Sequence, residues 1–165
     1  MNRNDVIRAG ILSMLSTPVF AITLTVTDAN IPSTALGTLN TAGEYFSSSA
    51  ESSSSSSTAS IGSAPAVPVV SNSECGATDP AWKLTANLNT SVPGLTIRVR
   101  RTDNGTGGTL YSGLSYITLS PVTTTLFCGS GDVSDIDLQF QIDSLDVGDG
   151  YGTKNWIVDY TVETL

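Results

Sequence analysis

Period-two alternation dominates the chain. Ile22, Leu24 and Val26 alternate with Thr23, Thr25 and Thr27. Trp82, Leu84, Ala86 and Leu88 alternate with Lys83, Thr85 and Asn87, and Leu95, Ile97 and Val99 with Thr96, Arg98 and Arg100. The rhythm returns in Ile136, Leu138, Phe140 and Ile142, and again in Trp156, Val158, Tyr160 and Val162. Successive side chains of a strand point to opposite faces, so each run predicts a strand with one face on a core and one in water. After the N-terminal residues no run repeats at the helical period. Ser91-Val92-Pro93-Gly94, Asp103-Asn104-Gly105, Thr106-Gly107-Gly108 and Gly148-Asp149-Gly150 supply turn chemistry between the runs. Short strands at regular spacing predict an all-β fold, an antiparallel β-sandwich of immunoglobulin-like or jelly-roll type.

Two segments break the pattern. Residues 1–21 carry Arg3 and Arg8, then a mainly apolar run from Ala9 to Phe20, then Ala21 as a small residue for cleavage. That is the order of parts in an export signal. The apolar run is interrupted by Ser13, Ser16 and Pro18, and it is shorter than the roughly 20 residues a spanning helix needs. The expectation is therefore a cleaved signal over 1–21, no membrane span afterwards, and a single β-sandwich domain over 22–165. The other break is Ser47–Ser60, with ten serines in fourteen residues. It reads either as a flexible linker or as a polar edge strand whose short side chains pack closely against a neighbour.

Composition narrows the function classes. There is no histidine, which removes the commonest general base, metal ligand and pH switch together. No Gly-x-Ser-x-Gly elbow is present, and the expectation is a non-enzymatic protein. A net charge of −8, with Arg98, Arg100 and Arg101 as the one basic cluster, argues against nucleic acid. Cys75 and Cys128 are the only cysteines. In an exported chain an even count favours a disulfide over two buried thiols, and this one would close a loop of about fifty residues.

Three weaker chemistries remain. Asp143, Asp146 and Asp149 recur at three-residue intervals among glycines, as ligands of a calcium ion could; the same run is equally an acidic loop between strands. Tyr111 and Tyr116, close to Gly107, Gly108 and Gly113, are candidates for stacking on a sugar ring, whereas Trp82 and Trp156 fall in register with the apolar faces and belong to a core. Asn89-Thr90-Ser91 and Asn104-Gly105-Thr106 match the glycosylation sequon.

With the strands placed, the layout resembles exported prokaryotic β-sandwich fibre subunits: fimbria-like, spore-coat-U-like and biofilm-matrix fibre proteins. The features that carry the resemblance are the export signal followed by Ile22-Thr23-Leu24-Thr25-Val26-Thr27-Asp28, the stretch from Val69 to Ser73 leading into Ala81–Thr85, and the terminal strand Trp156–Val162. It holds at the level of architecture. It implies a self-assembling extracellular subunit at the cell surface, partnered by copies of itself, in which the strand carrying Ile22, Leu24 and Val26 is donated to a neighbour. The alternative from a different class is a monomeric secreted module that binds carbohydrate or another ligand.

Overall fold

The computed structural model describes residues 21–29, 31, 49–90, 94–144 and 155–165. The expected export signal up to Phe20, the expected turn residues 91–93, and Asp146 and Asp149 of the expected calcium set lie outside these. Among the described residues there is no helix, and nine strands form one antiparallel sheet. They are β1 (Thr23–Val26), β2 (Ser49–Glu51), β3 (Ser57–Gly62), β4 (Trp82–Thr90), β5 (Thr96–Arg101), β6 (Thr106–Tyr111), β7 (Ile117–Thr118), β8 (Thr124–Asp143) and β9 (Ile157–Thr164). The all-β expectation holds, and no helix here could cross a membrane.

The organising element is β8, 20 residues long. Fully extended it would measure about 66 Å, against a diameter of roughly 40 Å for a compact domain of this size. It must bend, and local irregularities let it. Gly131 and Asp135 take left-handed backbone at φ 74° and 55°, and the pairing shifts register where β8 meets β4, β6 and β3. Each shift is a bulge that turns the strand and raises its twist. The first half of β8 pairs with β4 and β6, the second half with β3, β2 and β5. Both halves thus wrap one core.

That core contains the apolar positions that the alternation marks. Trp82, Leu84, Ala86 and Leu88 of β4, Ile97 and Val99 of β5, and Ile136, Leu138 and Phe140 of β8 are all buried in one cluster. Trp82 is fully buried; its ring meets Phe127 edge-on at 6.4 Å, and its Nε1 donates to the Gly131 carbonyl at 3.0 Å. Trp156, by contrast, is half-buried and packs against the margin of the cluster.

Two expectations change. Thr106-Gly107-Gly108 is not a turn but the first half of β6. A Cβ on Gly108 would collide with the Ser130 carbonyl, so these glycines let β6 lie close against β8. The turn is made by Asp103-Asn104-Gly105 alone, where the Asp103 carboxylate accepts the Gly105 N–H at 3.1 Å. The described part of the serine-rich segment contains β2 and β3, which follow one another along β8. Among the described residues β2 pairs with β8 alone and is an edge strand, whereas β3 lies inside the sheet between β8 and β1.

The sheet path runs β1-β3-β8-β4-β9, and its two ends come into contact without pairing, so the sheet is nearly closed. A disulfide joins Cys75 to Cys128 with Cα atoms 5.9 Å apart, as expected. It pins the long connection between β3 and β4 onto β8, where Cys128 sits opposite Lys83 and Tyr111. Lys83 pairs with Glu74 of that connection and with Glu163 of β9, at 3.8 and 3.5 Å.

Two stability predictions follow from this packing. A Cβ on Gly129 would fall inside the Trp82 ring, so Gly129→Ala should cost about 3 kcal/mol, the upper part of the overpacking range, read as a lower urea midpoint at unchanged slope. Opening the disulfide, which spans 53 residues, should cost about 4 kcal/mol in the chain-entropy picture. Urea unfolding with and without reductant measures it.

Candidate functional site

Two places on the molecule have the geometry of a functional surface. The first is β1. Among the described residues it is paired with β3 alone, in the register Thr23–Gly62, Leu24–Ile61, Thr25–Ser60 and Val26–Ala59. Leu24 and Val26 turn half-buried toward the core with Ile22 beside them, while Thr23 and Thr25 face water. The polar half of the contact is a hydroxyl zipper. Thr23 Oγ1 donates to the Gly62 carbonyl at 3.1 Å, Thr58 N–H donates to Thr27 Oγ1 at 2.7 Å, Thr27 N–H donates to the Thr58 carbonyl at 2.9 Å, and Ser57 Oγ donates to the Thr27 carbonyl. Half-burying three aliphatic side chains is worth about 3 kcal/mol in all. β1 is thus a well-registered strand attached by a modest free energy, and its outer edge faces β9 with no ladder between them.

The second is the outward face of β2, β8, β5 and β7. Residues directly opposite in a ladder share a face, so the register sets polar side chains in rows. Glu51, Gln141, Arg98 and Thr118 form one row. Gln139 and Arg100 begin the next, and Tyr116 sits at its end. The Arg100 guanidinium lies 4.5 Å from the centre of the Tyr116 ring and donates twice, from Nε and Nη2, to Gln139 Oε1 at 3.0 and 2.7 Å. Gln139 is only 8% exposed and is itself anchored, its Nε2 donating to the Ser52 carbonyl at 3.0 Å. Gln141 Nε2 donates to Glu51 Oε1 at 3.0 Å, and Arg98 pairs with Asp143 at 2.9 Å. The Tyr116 hydroxyl has no partner in hydrogen-bond geometry among the described residues. Burial and the nearby Glu51 carboxylate push its pKa up to about 12, against an opposing pull from Arg100.

Other candidates are less developed. Asp143 is committed to Arg98, and among the described residues no three metal-capable side chains gather. Asp132 accepts from the Ala64 N–H, and Asp103 accepts from the Asp137 N–H. Burial, then Asp103 and Asp135, raises the Asp137 pKa. Arg101 turns inward and is 4% exposed, satisfied by the carbonyls of Ser112 and Asp103 and by Asn104 Oδ1; burial lowers its pKa, with Asp103 opposing. A cleft of about 460 Å³ opens beside the disulfide, floored by Leu114, Ile117 and Leu126. Tyr111 ends β6 opposite Cys128, whereas Tyr116 lies against Arg100, so the two occupy different settings. Reading the polar halves of the alternation as plain solvated faces missed the Arg98–Arg100 and Gln139–Gln141 lattice. Their shared spacing of two was the available signal.

No protein-family model, curated protein or solved structure matches the chain. What fold and geometry define is therefore a class: a disulfide-bonded, antiparallel all-β protein with a lightly held edge strand and a structured polar face.

The raised tyrosines yield a pH prediction. Tyr116 moves up to about 12 from 10.0, and burial pushes Tyr160 higher still. The unfolded chain then holds fewer protons than the folded one above pH 10, so stability is full below that pH and declines as pH rises through 12. Phenolate absorbance should show both groups titrating above the ordinary tyrosine range, and Tyr160→Phe should remove the last step.

Proposed function

We propose that the chain is a self-assembling extracellular structural subunit that joins copies of itself by exchanging β1. The observation that carries this reading is the attachment of β1. Among the described residues it pairs along one edge only, its contacts with β3 are local and in register, and any second copy presents the same β3 edge to it. The chain between Ile31 and Ser49 comprises residues 32–48. A stretch of that length spans at most about 55 Å, enough for the strand to leave one body and dock on the next. A donation passed head-to-tail from copy to copy propagates as a fibre wherever the rotation between copies does not close it into a ring. The disulfide fits an oxidising, extracellular setting.

The test uses the secreted protein under native conditions. Electron microscopy and light scattering should find filaments or open-ended oligomers, and a synthetic Ala21–Ala29 peptide in excess should shorten them. Leu24→Asp with Val26→Asp should leave monomers. Discrete monomers from the unaltered protein, whatever its concentration, would refute the reading.

A further inference from the structure

The outward face of β2, β5, β7 and β8 is built without any residue of β1. The described residues contain four cations: Lys83, Arg98, Arg100 and Arg101. Lys83 is paired with two glutamates, Arg98 with Asp143, and Arg101 is buried and spent on carbonyls and an amide. Arg100 alone is outward-facing and without a carboxylate within ion-pair distance among the described residues. It is nevertheless fixed in place. Gln139 takes two of its N–H groups, the Ser52 carbonyl holds Gln139, and the Tyr116 ring backs the guanidinium. A guanidinium whose orientation is already set loses little entropy on binding and accepts a planar carboxylate in preference to a point charge.

We propose that this face binds a uronic-acid unit of an oligosaccharide, with Arg100 receiving the sugar carboxylate and Glu51 and Asp143 as acceptors for its hydroxyls. The neighbours select the ligand class. Glu51 stands opposite Gln141, and Asp143 lies two residues along β8, so acceptors and donors alternate within a few ångströms. A polyhydroxylated monoanion satisfies both kinds of group. An acid-rich peptide or a phosphate dianion would set its remaining charge against Glu51 and Asp143. The chain's net charge of −8 also repels dense polyanions, which favours a uronate flanked by neutral sugars.

The probe is a tetrasaccharide of alternating glucuronate and N-acetylglucosamine, titrated into isotope-labelled protein and followed by NMR. The side-chain amide signals of Gln139 and Gln141 should shift. The carboxyl-reduced tetrasaccharide should bind at least tenfold more weakly, as should the original tetrasaccharide to Arg100→Gln. Combining reduced ligand with the variant should cost no more than either change alone, because both remove one contact. Filament formation by Arg100→Gln should be unchanged, which separates this inference from the assembly reading. Unshifted amide signals, equal affinity for the carboxyl-reduced sugar, or tighter binding of a glutamate-rich peptide than of the sugar would overturn it. The amide shifts in unaltered protein decide the matter even if the variant fails to fold.

Discussion

The indole of Trp82 lying across Gly129 is the contact on which the rest of the fold depends. It sits where β8 passes from one half of its course to the other. The ring needs a residue with no side chain beneath it, and its N–H needs the Gly131 carbonyl two residues further on. Both demands are met by a stretch of β8 that is already bulged, with Gly131 in left-handed backbone. The large aromatic group therefore fills the bend that a 20-residue strand must make. Without that bend the two halves of β8 could not face one core, and β3 and β4 would belong to separate layers with no shared interior.

The serine-rich strand shows how a polar sequence can lie inside a sheet. Ser52 and Ser57 are 4% and 1% exposed, positions where an unsatisfied hydroxyl would cost about 1–3 kcal/mol. Neither is left unsatisfied. Ser52 Oγ accepts from the Phe140 N–H at 2.9 Å and donates to the Ser53 carbonyl, and Ser57 donates to the Thr27 carbonyl. In β3, Ala59 and Ile61 share the buried face with Ser57. The side chains are short enough for β1 and β8 to close on β3 from both sides, and the bonds to β1 are made by hydroxyls more than by buried hydrocarbon. That balance keeps β1 in a single register while holding it loosely.

Much of this was legible beforehand, and the misses have physical causes. Alternation located β1, β4, β5, the second half of β8 and β9, because each has a dry face and a wet face, and that contrast is all periodicity can register. It could not show that Thr124–Asp143 is continuous, since Gly129, Gly131 and Asp135 look like turn residues, whereas Gly129 stays in the ladder and Gly131 and Asp135 lie at bulges. Gly107 and Gly108 misled for the mirror reason: their task is close approach between strands, which composition alone does not distinguish from chain reversal. Serine has no strong preference between strand and coil, so only the flanking β1 and β8 decide its state. The lattice around Arg100 was hidden because it joins four strands distant in sequence.

The two proposed activities use separate parts of the sheet, and this bears on how they would combine. Among the described residues β1 pairs only with β3, at residues 59–62, whereas the Arg100 face is built on β2, β5, β7 and the end of β8. Exchange of β1 would use no residue of that face. Each subunit added to a fibre would then repeat one fixed guanidinium along the axis. A single carboxylate contact on an acidic protein is weak, in keeping with the small surface it covers. A row of them meeting a long polysaccharide is another regime, since each further contact becomes intramolecular and avidity can exceed the single-site affinity by a factor of about 10²–10⁴. Assembly would in this way convert a marginal sugar contact into firm attachment, while a lone subunit would release its sugar readily.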